Sequence, residues 1–189
     1  LYEAGIGEAR AALVEQGEIL EARIERDDGA PRVGAVLAAR FAQGLPQTNR
    51  ALVTLEDGAP ALLRPLPPHV AEGQALRVVL TREAIPEEGN PKPAFVRLAA
   101  PDEAPGPGPS LRERISATPF PVRTLHAHEP DALEDAGWSE VLEEARTGLI
   151  AFPGGLLRLS LTPAMALFDV DGQSAPGPLA LAGARAAAA

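Results

Sequence analysis

The spacing of apolar and polar residues predicts a chain built mainly of short β-strands. Between residues 33 and 98, runs rich in Ala, Val and Leu recur with turn residues between them. Five such runs are found, at residues 35–41, 51–55, 59–63, 75–82 and 94–98. Asp57 and Gly58 predict a tight turn between the second and third runs, and the prolines after the third run prevent it from continuing. Five strands in so short a stretch predict a small Greek-key barrel of the OB type.

The residues on either side of the barrel show different patterns. Residues 1–26 predict two extended segments joined by a glycine-containing turn around residues 15–18. The alternative for this stretch is a short helix over residues 6–16, favoured by their alanine content. After the barrel, residues 101–109 (PDEAPGPGP) are so rich in proline and glycine that they can sustain neither a helix nor a strand ladder. We therefore expect a linker there.

Two further elements are predicted between the linker and residue 150. Residues 122–127 are a candidate strand. Apolar residues at rough helical spacing predict a helix over residues 131–146, with Gly137 as its weak point and Gly148 as its end. Trp138 falls at helical spacing from Leu142 in this segment, so we expect it to be a core residue.

The end of the chain predicts two strands and a candidate site. Residues 157–161 alternate leucine with polar residues, as a half-buried strand does. Residues 164–168 are a continuous apolar run, typical of a central strand covered on both faces, and the run ends in Asp169 and Asp171. Carboxylates at the tip of a buried strand are where α/β folds often hold a divalent cation. The alternative is a turn that leads into a helix formed by the alanine-rich end of the chain.

Composition narrows the class of protein. The chain has 189 residues, of which 46% are hydrophobic and 23% charged, as expected of a globular protein. It has no cysteine, which excludes disulfides and cysteine-bound zinc, and no apolar run approaches the roughly 18 residues of a membrane span. We therefore expect a cytoplasmic protein without membrane association. Because it starts at Leu1 without methionine and stops within an alanine run, we also expect a piece of a longer chain.

Charge and histidine spacing bear on the possible ligands. The formal net charge of −9 argues against non-specific binding of nucleic acid, which needs clustered Lys and Arg, although local fields can differ from the total. His126 and His128 lie on one face of the candidate strand, as two metal ligands do. No third ligand is spaced to join them, which favours a solvated surface.

Four segments together resemble the ribonuclease E/G family. They are AALVEQGEILEARIE at residues 11–25, EPDALE at 129–134, PGGLLRL at 153–159 and TPAMALFDVDG at 162–172. The last two are similar to the family block PSGG…I…TEALTAIDVN. The resemblance implies an α+β, β-rich fold: an RNase H-like subdomain from residues 1–32 and 112–150, with an OB barrel at 33–100 inserted in it. A Pro/Gly linker at 101–111 follows the barrel, and residues 151–189 begin a DNase I-like catalytic subdomain.

The same resemblance implies a function. Family members cut single-stranded RNA in RNA processing or decay, with Mg²⁺ held by two aspartates. Asp169 takes the first metal-ligand position, Asp171 replaces the usual Asn, and the second family aspartate falls beyond the end of this chain. Homologues form dimers or tetramers, so we expect a homo-oligomer. The alternatives are a catalytically inactive RNA- or ribosome-associated binding protein of the same fold, and a structural subunit that pairs only with its own copy.

Residues that contact RNA are also implied. Leu52 and Leu62 stand where the family presents aromatic side chains for base stacking, and aliphatic side chains lose most of that stacking. Lys92, in the loop between the last two barrel runs, is placed to reach a phosphate. We therefore expect weak or relaxed RNA binding.

Overall fold

The structure is a computed structural model that describes residues 1–87, 89, 91–162 and 165–188. It divides into two compact units. The barrel unit comprises Glu25–Pro121, and the terminal unit comprises Leu1–Ile24 together with Val122–Ala189. Eleven strands and three α-helices lie in the described residues, which confirms the prediction of a strand-rich α+β chain.

The chain opens with a three-stranded antiparallel sheet in the order β1-β2-β3. The strands are β1 (Tyr2–Ala4), β2 (Glu8–Glu15) and β3 (Glu18–Arg26). Gln16 and Gly17 between β2 and β3 have φ values of 53° and 90°, the left-handed conformation that a two-residue hairpin turn requires. The predicted pair of extended segments is confirmed, and the alternative helix over residues 6–16 is wrong because β2 occupies that stretch.

The predicted five-stranded barrel is confirmed. Its strands are β4 (Val36–Leu45), β5 (Arg50–Leu55), β6 (Pro60–Leu63), β7 (Ala75–Arg82) and β8 (Ala94–Leu98). They close in the order β4-β5-β6-β8-β7, with β6 and β8 parallel and the other pairs antiparallel, which is an OB-like arrangement. The turn at Asp57 and Gly58 also forms as predicted: Asp57 Oδ1 accepts a hydrogen bond from Ala59 N at 2.9 Å.

Small apolar side chains fill the barrel. The buried cluster consists of Ala35, Ala39, Phe41, Ala51, Val53, Leu55, Ala61, Leu63, Val78, Leu80, Ala94 and Val96. Five of these twelve residues are alanine, as suits the narrow interior of a small barrel. Because strand side chains alternate between two faces, the residues between these positions lie on the outside of the barrel. That alternation positions the candidate site.

Residues 101–109 form neither a strand nor a helix, as their composition predicts, but they are held against the barrel. Gly106 forms an isolated bridge with Val36. Arg97 Nη2 donates to Glu103 Oε1 at 2.5 Å, and Ala100 N donates to Glu103 Oε2 at 2.7 Å. Helix α1 (Leu111–Ser116) follows and was not predicted. Its Ser110 and Glu113 form a capping box, a signal that the S-x-x-E spacing already carries.

The middle of the terminal unit departs from the sequence predictions. The strand predicted at residues 122–127 is wrong, since the stretch contributes only an isolated bridge between Thr124 and Tyr2. The second helix, α2 (Trp138–Thr147), starts seven residues later than predicted, because Gly137 at φ 94° precedes it with a left-handed turn. Gly148 ends it at φ 68°, as predicted. Trp138 is buried in a small core with Leu133.

The chain ends in a three-stranded sheet covered on one side by a helix. Strands β9 (Leu149–Phe152), β10 (Gly155–Leu161) and β11 (Ala166–Gly172) are ordered β11-β10-β9, and α3 (Pro176–Ala188) follows. The half-buried strand and the alanine-rich helix are confirmed. The central strand predicted at residues 164–168 is wrong: β11 lies at the edge and is largely exposed. Residue 164 lies outside the described residues.

No helix in the described part of the chain is long and apolar enough to cross a bilayer.

We predict that Glu103→Gln lowers the thermal stability of the chain in a pH-dependent way. The hydrogen bond from Arg97, followed by that from the Ala100 backbone, lowers the pKa of Glu103 from 4.5 to about 2. A carboxyl group whose pKa is depressed on folding stabilises the fold above pH 4.5, and the contribution disappears as the pH falls towards 2. The midpoint difference between wild type and variant, followed by circular dichroism, should therefore shrink between pH 6 and pH 3.

Glu56→Gln, which changes an exposed glutamate at the β5–β6 turn, is the control and should leave the midpoint unchanged at both pH values. A difference for Glu103→Gln that stays constant with pH would contradict the assignment.

Candidate nucleic-acid interface

Outward side chains from four barrel strands form one continuous row. Leu52 on β5 is the register partner of Leu62 on β6, and Leu62 is the partner of Phe95 on β8. Phe95 is in turn the partner of Arg82, the last residue of β7. We call these four residues the outer row. Both leucines and Phe95 are half-buried, so the row forms a partly exposed apolar strip on the barrel surface.

Three arginines surround Phe95. The guanidinium carbons of Arg82, Arg50 and Arg64 lie 3.7, 5.4 and 5.8 Å from the centroid of the ring. Arg50 begins β5 and Arg64 follows β6, and the pairing of Ala51 with Leu63 brings these two strand ends together. All three distances are within the range of the cation–π interaction. The ring therefore gathers three positive charges at one end of the outer row.

The three arginines have no ion-pair partner among the residues that the structure describes. Four other basic residues of the barrel unit are paired with a carboxylate: Arg32 and Arg114 with Glu25, Lys92 with Glu87, and Arg97 with Glu103. Arg40 and Arg77 instead donate to backbone carbonyl oxygens. Arg82 is anchored by a hydrogen bond from Nη2 to the Pro93 carbonyl oxygen at 2.6 Å, while its buried Nε has no acceptor among the residues that the structure describes. A cluster of cations without carboxylates is suited to attract an anion.

The negative charge of the chain is distributed unevenly between the two units. The barrel unit contains 11 Lys and Arg against 12 Asp and Glu, whereas the rest of the chain contains 6 against 14. The total of −9 therefore reflects mainly the terminal unit. The argument against nucleic-acid binding from net charge does not apply to the nearly neutral barrel.

Three residues predicted to contact RNA lie in the barrel unit. Leu52 and Leu62 belong to the outer row, side by side with the arginine cluster. Lys92 is exposed, but its Nζ is paired with Glu87 Oε1 at 2.6 Å. Phe95 was not identified as a contact residue from the sequence. Phe95 lies between Ala94 and Val96, which face the barrel core, so it lies on the outside of β8. The three arginines around it are far apart in sequence, and only the strand register brings them together.

Asp169 and Asp171 are exposed side chains on the same face of β11. Val170 between them packs against Gly183 of α3, so the two aspartates project from the opposite face of the sheet. They lie within the edge strand, which continues to Gly172, and not beyond its tip as predicted. The register partner of Asp169 is Arg158, also exposed.

A cleft with a volume of about 780 Å³ runs between β11 and α3. Its walls are mainly apolar, with Leu157, Phe168, Val170 and Leu179 among them. Apolar walls of this kind do not suit a phosphate group. Asp171 is the one carboxylate residue among the lining residues, and none of them is basic, so the cleft supplies no cation to bind a phosphate.

No group of three or more His, Asp or Glu side chains among the described residues is placed to hold a metal ion. His126 and His128 are exposed and stacked, with ring centroids 5.8 Å apart and planes 11° from parallel. Their carboxylate neighbour Glu129 faces Arg123 at 3.8 Å.

Comparison with known proteins identifies no relative: no protein-family model matches the sequence, and no curated protein matches it. The resemblance to the ribonuclease E/G family therefore stays a prediction carried by the four segments quoted above. The geometry of the outer row stands independently of it.

Proposed function

We propose that the barrel unit binds single-stranded RNA along the outer row. The observation that carries this proposal is the cluster of Arg50, Arg64 and Arg82 around Phe95, without a carboxylate partner in the described residues. Proteins that bind single strands combine a positively charged groove for the backbone with flat side chains on which bases stack. Phe95 and the guanidinium planes supply both.

The location on the barrel supports the same proposal. In OB barrels, oligonucleotides bind over the second and third strands and the loops after the first and fourth strands. Here the second and third strands are β5 and β6, which carry Leu52, Leu62 and Arg50, and Arg64 directly follows β6. The loop after the fourth strand carries Lys92. Leu52, Leu62 and Lys92 thus fall on elements that such folds use, and Phe95 and Arg82 extend the row onto the neighbouring strands β8 and β7.

Stacking on the outer row requires unpaired bases, which selects single strands over a duplex. The choice of RNA over DNA rests on the resemblance to the ribonuclease E/G family. With a single aromatic ring and two leucines, the row provides one strong stacking position. Affinity should therefore depend heavily on phosphate contacts and fall steeply with salt.

We further propose that the chain acts as a Mg²⁺-dependent endoribonuclease, or as part of one, with Asp169 as a metal ligand. Mg²⁺ is commonly bound by one or two carboxylates together with substrate phosphates, and the exposed pair Asp169 and Asp171 fits that requirement in part. Two carboxylates on an edge strand do not complete a metal site by themselves. This role also carries the expectation of a cytoplasmic homo-oligomer.

The alternative is a non-catalytic RNA-binding protein. It is favoured by Arg158, whose positive charge lies directly across the ladder from Asp169 and competes with a cation for that carboxylate. The outer row, by contrast, is assembled entirely from residues of the barrel unit, so binding does not depend on the aspartates.

We predict that Phe95→Leu weakens binding of a 12-nucleotide single-stranded RNA by about 5-fold to 150-fold, measured by fluorescence anisotropy. This range corresponds to the loss of roughly 1–3 kcal/mol of stacking on one base. Phe120→Leu makes the same change at an exposed phenylalanine of the barrel unit that has no arginine cluster, and it should leave the affinity unchanged. Equal affinities for wild type and Phe95→Leu would contradict the proposal.

For the nuclease proposal, we predict that this chain, joined to a segment that supplies a second metal-binding aspartate, cleaves single-stranded RNA with Mg²⁺ or Mn²⁺. Asp169→Asn should abolish that cleavage at unchanged thermal stability. Asp135→Asn, at an exposed position of the same unit, should retain full activity. Binding without turnover in either metal would support the non-catalytic alternative. Cleavage by Asp169→Asn at the wild-type rate would remove that residue from the catalytic site.

A further inference from the structure

A small pocket adjoins the arginine cluster at the end of the outer row. It is lined by Thr48, Asn49, Arg50, Arg64 and Pro65 and has a volume of about 240 Å³. Its floor is the connection between β4 and β5, where Pro46–Thr48 forms a single 3₁₀ turn. The pocket lies wholly within the barrel unit.

Hydrogen bonds hold the backbone of this connection in place. Asn49 adopts the left-handed conformation, with φ 52° and ψ 45°, and its N–H donates to the Pro46 carbonyl. Its Oδ1 and its carbonyl oxygen accept from Leu66 N at 3.3 and 3.1 Å. Thr48 Oγ1 donates to the Leu45 carbonyl at 3.2 Å. These bonds use the acceptor atoms of Asn49 and leave its Nδ2 as a donor without an acceptor in the described residues.

The lining of the pocket is therefore dominated by donors. Two arginines and Asn49 are among its lining residues, and none of the lining residues carries a carboxylate. Each guanidinium presents several N–H groups in the fork geometry that matches a phosphate. Placing two like charges beside one another is unfavourable unless an anion lies between them. Phe95 contacts both arginines and limits the orientations that they can adopt.

We infer that this pocket is a phosphate-binding subsite that holds one backbone phosphate of a single-stranded nucleic acid. The identification of the phosphate donor as RNA rests on the function proposed above, whereas the phosphate chemistry rests on the pocket alone. Because both arginines lie within 6 Å of the Phe95 ring centroid, a phosphate in the pocket places an attached base beside that ring. The subsite thus sets the register of the strand along the outer row.

The test is an NMR titration of the ¹⁵N-labelled full chain with inorganic phosphate alone, at constant ionic strength maintained with chloride. Phosphate should shift the backbone amides of Asn49 and Arg50 and the Nε–H signals of Arg50 and Arg64, and the shifts should saturate. Arg64→Gln should raise the apparent dissociation constant for phosphate at least tenfold. Arg64→Lys keeps the charge but loses the forked N–H donors, so its dissociation constant should lie between those of wild type and Arg64→Gln. Arg40→Gln, on the exposed face of β4, is the matched control and should bind phosphate as wild type does.

A second arm titrates the same samples with the single-stranded 12-mer and separates the two ideas. If the RNA binds through Phe95 while phosphate leaves the pocket signals unmoved, the subsite is overturned and the proposed function stands. If phosphate binds in an Arg64-dependent way but the RNA does not bind, the subsite stands and the proposed function is contradicted. Phosphate-induced shifts that are equal in wild type and Arg64→Gln would overturn the subsite. Signals outside the pocket should overlay in the spectra of the two proteins, which would show that the variant is folded.

Discussion

Closure of the five-stranded barrel is the constraint on which the candidate site depends. Once the ladder closes, each strand must turn alternate residues inward, and the alanines and valines at those positions fix which residues face water. Leu52, Leu62, Phe95 and Arg82 then fall into register on the outside without any direct interaction between them being required. The outer row is a consequence of the core pattern, because a slip of one residue in β8 would bury Phe95 and expose its neighbours.

The arginine cluster is held at some cost to the fold. Three guanidinium groups around one ring repel one another, and the buried Nε of Arg82 finds no acceptor within the described part of the chain. Cation–π attraction of about 0.5–1 kcal/mol at exposed sites, and about 2 when desolvated, offsets part of this repulsion. An anionic ligand would relieve the rest. Local arrangements that are unfavourable without a ligand are typical of binding sites, where they keep the ligand-contacting groups pre-organised.

The sequence predicted the barrel because its signals are local: alternating runs, the Asp57–Gly58 turn and the prolines after β6. The capping glycine Gly148 was predictable for the same reason. The edge position of β11 was not, since an apolar run gives no information about which neighbours cover it. The strand predicted at residues 122–127 failed because its pairing depends on a partner more than a hundred residues away.

The candidate site was predictable only in part. Leu52 and Leu62 were identified from the resemblance, and alternation within β8 could have placed Phe95 beside them. The gathering of Arg50, Arg64 and Arg82 required the strand register, which no local pattern contains. The net charge of the whole chain likewise gave no sign that the barrel unit is nearly neutral, because most of the negative charge belongs to the terminal unit.

The most direct test of the central claim is ultraviolet cross-linking of the full chain to a short single-stranded RNA, followed by mass spectrometry of the linked peptides. A strand bound along the outer row predicts cross-links in the β8 peptide that contains Phe95 and in the flanking β5 and β6 peptides. Cross-links confined to the terminal unit, with none in the barrel, would contradict the account.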